Sequence, residues 1–306
     1  MVFSVLFRHR WLPAMLVYAV LVAPLLAQTP PGTRPGILPK RGPATPTRPP
    51  QLVAERGDVN PRAAPAAAGA ANPNEHPLMP ALRWAYGGVG NIEKIQDYSA
   101  TLAKRERING KMNEYEYMFI KIRHKPFSVY MHFLGPPKLK GQEVIYVEGQ
   151  NNGKMWAHGV GVRAAFGTLS LEPTSVIAMR DQHYPLTELG ILNMVRRLVE
   201  IGEQDIKYGE CEVKFIKEAK VNNRTCTCIQ VVHPVPRRNF IFHMARIYVD
   251  DELNLPIRFE AYEWPKEPGG PPDPTEEYTY LNLKLNNGFT DADFDIRNPN
   301  YSFPKK

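Results

Sequence analysis

The sequence predicts an α+β fold, a strongly curved antiparallel β-sheet whose concave face is covered by helices. Three observations carry this reading. Asn109-Gly110 joins two long strand-like runs in the way a tight hairpin turn does. Runs of alternating apolar and polar residues then recur almost to the C-terminus. Two stretches, at the start and in the middle of the folded part, carry helical spacing instead.

The chain begins with a segment unlike the rest. Arg8, His9 and Arg10 precede an apolar run from Trp11 to Leu26, closed by the small residue Ala27. That order predicts a cleavable signal peptide over residues 1–27 and a protein of the periplasm or another extracytoplasmic space. Pro13, Pro24 and a run shorter than the roughly 20 residues that cross a bilayer argue against a retained anchor. The cleaved protein is therefore not expected to be an integral membrane protein. No cysteine lies near Ala27 to take a lipid. Residues 28–77 hold twelve prolines and no aromatic residue, too little apolar surface to offset the entropy of ordering, which predicts a disordered Pro/Ala-rich tether.

A folded domain is expected over residues 78–306. The formal charge of +7 is concentrated outside it: +2 falls in residues 1–27 and +3 in 28–77, which leaves +2 for the domain. A nearly neutral domain lacks the basic footprint that phosphate backbones require, so nucleic acid is not an expected partner.

Leu78, Leu82, Ala85, Val89 and Ile92 form one apolar stripe and predict the first helix. The Asn-Gly turn places Ile108 opposite Lys111. Continued along both strands, that register sets Leu102 against Tyr117, Ala100 against Phe119 and Arg105 against Glu114. Phe127–Phe133 alternates, and Val144–Val147 with Met155–His158 predicts a second hairpin. Pro185 then suits a helix start, with Leu189, Leu192, Val195, Leu198 and Val199 on one stripe over Pro185–Ile201. Strands resume in pairs: Cys211–Ile216 with Thr225–His233, Phe240–Val249 with Ile257–Trp264, and finally Tyr278–Leu285. The strands are expected to meander in chain order.

The search for catalytic groups returns little. Gly149–Lys154 is one residue short of a phosphate loop and has Met155 where Ser or Thr is needed. Asp291, Asp293 and Asp295 lack the glycine and glutamate of a calcium loop and read as the solvated end of a strand. Asp181 and His183 are residue types of a metal or acid-base site, but with no third partner nearby in sequence they read as surface loop residues. Arg237-Arg238 suits an anionic headgroup, a partner's carboxylate or plain solvent. Cys211, Cys226 and Cys228 read as small buried strand residues. No catalytic residue, metal or cofactor is expected, and no enzyme.

Several runs resemble the periplasmic lipoprotein-carrier (Lol-like) superfamily. They are Ile247-Tyr248-Val249-Asp250, Leu255-Pro256-Ile257-Arg258-Phe259-Glu260-Ala261-Tyr262, and Tyr278–Leu285 followed by Asn286-Asn287-Gly288-Phe289 and Asp293-Phe294. The first half fits through Asn109-Gly110, Lys125-Pro126-Phe127 and Gly153-Lys154-Met155-Trp156. Within the superfamily, residues 121–127 and 141–144 look most like an uncharacterised family of exported bacterial proteins. The resemblance implies an open half-barrel that holds acyl chains on its concave face under helical lids. The chain departs from the carriers in its long Pro/Ala-rich segment and in having no match to their lid-closing arginine.

A binding protein that shelters an apolar ligand, either a lipid or a lipid-modified protein, is the expected function. Ala100, Leu102, Tyr117 and Phe119 are the expected floor, and Leu189 and Leu192 the expected lid. The alternative is an envelope interaction or sensor module that uses the same fold to bind a protein partner.

Overall fold

The computed structural model describes residues 74–304. The expected signal peptide and all but the last four residues of the expected tether lie outside them. Glu75 and His76 bind the domain: Glu75 pairs with Arg83 at 2.6 Å, and the His76 ring bonds the Tyr208 carbonyl at 2.8 Å.

Twelve strands and three α-helices follow. Helix α1 (Met79–Ile92) leads into β1 (Asp97–Ile108), β2 (Lys111–Met112), β3 (Glu116–Arg123), β4 (Ser128–Gly135), β5 (Glu143–Val147), β6 (Met155–His158) and β7 (Thr168–Leu171). Then come α2 (Val176–Met179), α3 (Ile191–Asp205), β8 (Glu212–Val221), β9 (Arg224–Val232), β10 (Met244–Asp250), β11 (Leu255–Glu263) and β12 (Asp273–Leu285). The strands form one antiparallel sheet, open at both edges, in the order β7-β6-β5-β4-β3-β1-β12-β11-β10-β9-β8, with β2 paired to β1. A meander in chain order would make β7 and β8 neighbours. Instead there are two meanders, joined where the first strand pairs with the last, and β7 and β8 are the free edges. The connection between them must cross from one edge to the other, and it carries α2 and α3 over the concave face as it does so.

The Asn-Gly turn forms as expected, with Ile108 opposite Lys111. The register beyond it is one residue off. Asn113–Tyr115 leaves the ladder between β2 and β3, so Leu102 faces Met118 and Ala100 faces Ile120. Because side chains alternate between faces, a one-residue slip moves a whole strand's pattern across the sheet. Tyr117 and Phe119 accordingly lie on the convex face. Phe119 packs there with Tyr130, Ile145, Val147 and Phe294. Arg105 pairs with Glu277 and Glu114 with Lys138, not with each other.

The middle helix also starts later than Pro185. Leu186–Glu188 is a single 3-10 turn, and Gly190 breaks the path with φ of 117° before α3 begins. A side chain at Gly190 would meet the Tyr98 hydroxyl at 3.0 Å, and that hydroxyl already accepts the Ile191 N–H at 2.8 Å. Burial of Tyr98 thus fixes where α3 starts. At its other end Gly202 lets α1 approach, since a Cβ there would lie 2.8 Å from Leu82.

The convex face is partly covered by the C-terminal segment, whose Phe294 and Phe303 are buried against β4 and β5. Asp291 is exposed as expected, but neither it nor Asp293 is at a strand end. They belong to a 3-10 turn, where Asp293 pairs with Lys121 at 2.7 Å and Asp291 with Arg123 at 2.8 Å. Cys211, Cys226 and Cys228 are free and buried, and burial pushes each thiol up to about 12.

Candidate functional site

Between the concave face and the path Gln182–Ile201 lies a groove of about 590 Å³. Its floor follows from strand alternation. Leu102 on β1, Met118 on β3, Met131 and Phe133 on β4 and Tyr280 on β12 point inward, and Leu189, Met194 and Leu198 close over them. Apolar residues give way to charged ones along the strands. On β1 the inward series runs Tyr98, Ala100, Leu102, Lys104, Glu106; on β12 it runs Tyr280, Tyr278, Glu276. The charged positions fall side by side because Lys104 pairs across the ladder with Glu116 and Glu106 with Glu276. The groove therefore has an apolar body and a polar end.

That polar end is tightly knit. Lys104 lies 3.5 Å from both Glu106 and Glu116, and burial raises the Glu116 carboxyl against the pull of Lys104. Glu106 accepts the Tyr278 hydroxyl and, at 3.1 Å, the His183 backbone N–H. Glu276 accepts the Tyr184 hydroxyl at 3.0 Å and faces His183 Nδ1 at 2.8 Å. His183 Nε2 faces the Arg107 carbonyl at 3.0 Å. With an acceptor at each ring nitrogen, only the imidazolium satisfies both. The hydrogen bond that the imidazolium donates to Glu276 correspondingly pushes the imidazole up to about 9. His183 thus fastens the segment Gln182–Gly190, hereafter the strap, to β1 and β12.

The expected site residues separate. Leu102 and Leu189 line the groove. Ala100 faces the same side but is 2% exposed and packed beneath the start of α3. Leu192 lines, with Leu189 and Asn193, a second cavity of about 280 Å³ on the other side of the strap. Tyr117 and Phe119 are on the opposite face. By sequence His183 reads as a surface loop residue; its partners Glu276 and Glu106 are 93 and 77 residues away and invisible to local spacing. The readable signal was the break in apolar alternation at Lys104, Glu106 and Glu276, three inward positions that carry charge. Arg237 is engaged by Glu210.

Among the described residues no helix is long and apolar enough to cross a membrane, and no group of three potential ligands could hold a metal ion.

No curated protein matches the chain in sequence. The solved structures similar to it include the Mycobacterium tuberculosis lipoprotein LppX, with 10% identity and a TM-score of 0.41 over 71% of this chain and 99% of that one. A putative outer membrane lipoprotein-sorting protein domain from Vibrio parahaemolyticus has 10% identity and a TM-score of 0.34 over 69% and 97%. A LolA superfamily protein from Nitrosomonas europaea has 10% identity and a TM-score of 0.27, also over 69% and 97%. The family described as "Protein of unknown function (DUF1571)" matches residues 95–303. That match spans more than half of the chain, from β1 to the C-terminal segment, and the chain therefore belongs to the DUF1571 family.

Proposed function

We propose that the protein is an exported, non-enzymatic binding protein whose groove holds the acyl part of a lipid or of a lipid-modified protein. The observation that carries this reading is the groove's two-part lining. A volume of about 590 Å³ with an apolar body suits a hydrocarbon chain, and a charged end suits the polar group to which such a chain is attached. Each buried CH₂ contributes about 0.8 kcal/mol, so an acyl chain in a dry groove needs no further specific contact to bind. The strap supplies the way in, because its polar hold on the sheet at this end passes through the His183 ring, the His183 backbone N–H and the Tyr184 hydroxyl.

Native mass spectrometry of protein purified from its own cell envelope tests the reading. Co-purifying lipid, released by organic extraction, is the expected result; ligand-free protein that also fails to take up a fluorescent fatty acid would overturn it. Residues 1–27 are read as the export signal and residues 28–77 as a tether. Sequencing the extracytoplasmic protein should find its N-terminus at or near Gln28, and an intact Met1 there would reject export by cleavage.

A further inference from the structure

The strand register assigns every loop to one end of the sheet or the other, and the two ends differ in charge. Five loops join strands at the end where β1 finishes: 109–115, 136–142, 159–167, 233–243 and 264–272. With histidine neutral, they carry Lys111 and Glu114, then Lys138 and Lys140, then Arg163, then Arg237 and Arg238, then Lys266 and Glu267. Their formal charge is +5. The four strand-joining loops at the other end are 124–127, 148–154, 222–223 and 251–254. They carry Lys125 and Lys154 against Glu148, Asp251 and Glu252, a formal charge of −1. The strand-joining loops are thus polarised along the strands, while the strand ends beside the basic loops carry carboxylates, Glu116, Glu143, Glu212, Glu263 and Asp273. Lys111, Lys140, Arg163 and Arg238 at the basic end form no ion pair among the described residues.

Four of the nine large exposed apolar side chains among the described residues lie in the basic-end loops, and the others, Val176 and Ile177 on α2 among them, lie outside both sets of loops. Val162 is 89% exposed and Phe166 73%, both in the loop 159–167, and Val235 and Ile241 are exposed in the loop 233–243. None of the large exposed apolar side chains lies in the four loops of the acidic end. The basic end is also where the groove opens, since His183, Glu263, Thr275 and Ile241 are among its lining residues.

We infer that this end of the sheet docks on a membrane surface rich in anionic lipid headgroups. Exposed apolar tips from both meanders enter the interface while the surrounding lysines and arginines meet the headgroups. A solvent-facing protein surface has no physical reason to gather large apolar side chains and unpaired cations at the same end. The inference gives the proposed groove its source of ligand and in that sense rests on it, but its evidence is separate: loop charge and exposure, not groove volume.

Flotation of the full chain with phosphatidylglycerol-containing and with pure phosphatidylcholine vesicles tests it. The parent should float preferentially with the anionic vesicles and lose that preference in high salt. Near such a surface each basic residue strengthens binding roughly fivefold. The combined Lys140→Glu, Arg163→Glu and Arg238→Glu variant should therefore bind anionic vesicles at least about tenfold more weakly, allowing for incomplete contact. Val162→Ser with Phe166→Ser should weaken flotation as well. Lys125→Glu with Lys154→Glu, at the other end, should leave it unchanged. No anionic preference in the parent, undiminished flotation of the charge-reversed rim, or equal loss from the other end would each overturn the inference. A parent that takes up fluorescent fatty acid yet shows no anionic preference would defeat the docking surface alone. One that floats with anionic vesicles yet takes up no fatty acid would defeat the groove reading alone.

Discussion

Ala100 and Leu102 are neighbours on the same face of β1, yet they belong to different regions of the molecule. Around Ala100 and across β8 to β10 the concave face is packed, with a small cavity of about 70 Å³ between α1, α3 and the β9–β10 pair; the cavity of about 280 Å³ lies beyond Ala100 against Ile122. The α3 helix starts on the Tyr98 hydroxyl, α1 and α3 meet at Gly202, and the side chains between them and the sheet are buried. From Leu102 towards the polar end it is hollow, because the cover there is an irregular strap and not a helix. A helix presents a continuous apolar stripe to a sheet. A strap fixed mainly at His183 and at Gly190 spans the sheet without filling it. The same alternating strands thus make a core under one cover and a groove under the other.

The largest effects are expected in the filled region. Gly202→Leu should force α1 and α3 apart against Leu78 and Leu82, and Ala100→Trp should overpack the sheet beneath α3. Each should cost about 1–3 kcal/mol, measured by denaturant unfolding. If either variant were as stable as the parent, the filled region would be looser than described.

His183 should come next. His183→Ala leaves Glu276 without its charged partner and frees the strap, at a cost of about 1–2 kcal/mol for a partly exposed site. The pH dependence has a definite sign. The folded imidazole is raised to about 9 from the ordinary 6.5, so its stabilisation is fully present below 6.5 and is lost as pH rises through 9. Glu106, Glu276, Tyr184 and Tyr278 face the same ring or its anchors, so the histidine's part is read as the difference between parent and His183→Ala. That difference should shrink between pH 7 and pH 10. Hydrogen exchange in the strap should rise in step; a difference that stays constant with pH would mean that His183 holds the strap as a neutral ring.

Much of the fold is readable from local signals, and the site is less so. The Asn-Gly turn, the paired strands and both helices follow from turn chemistry and spacing. The register slip does not. It turns on Asn113, Glu114 and Tyr115, where Asn113 still bonds the Glu106 carbonyl at 2.9 Å and the Tyr115 hydroxyl reaches Glu277, a residue 162 positions away. The one-residue slip puts Tyr117 and Phe119 on the convex face. The polar end is illegible for a related reason. Glu106 and Glu276 lie 170 residues apart in sequence and become neighbours only because β1 pairs with β12, a non-sequential pairing that no hairpin signal announces. Leu102 faces the groove because β1 alternates as expected, whereas Leu189 reaches it from the strap and not from the helix its spacing predicts.

The smallest expected change in stability is the one that bears most on function. Leu102 is itself buried but borders the groove of about 590 Å³, so the indole of Leu102→Trp can extend into that space and the fold should tolerate it where Ala100→Trp has no such space. The central claim is that this space is kept for a guest. It is tested most directly by measuring fluorescent fatty-acid binding and melting temperature together on the parent and on Leu102→Trp. The account predicts that the parent binds, and that the variant melts within a few degrees of it while binding at least about tenfold more weakly, since several buried CH₂ groups would be displaced. A variant that binds as well as the parent, or a parent that does not bind at all, would contradict it.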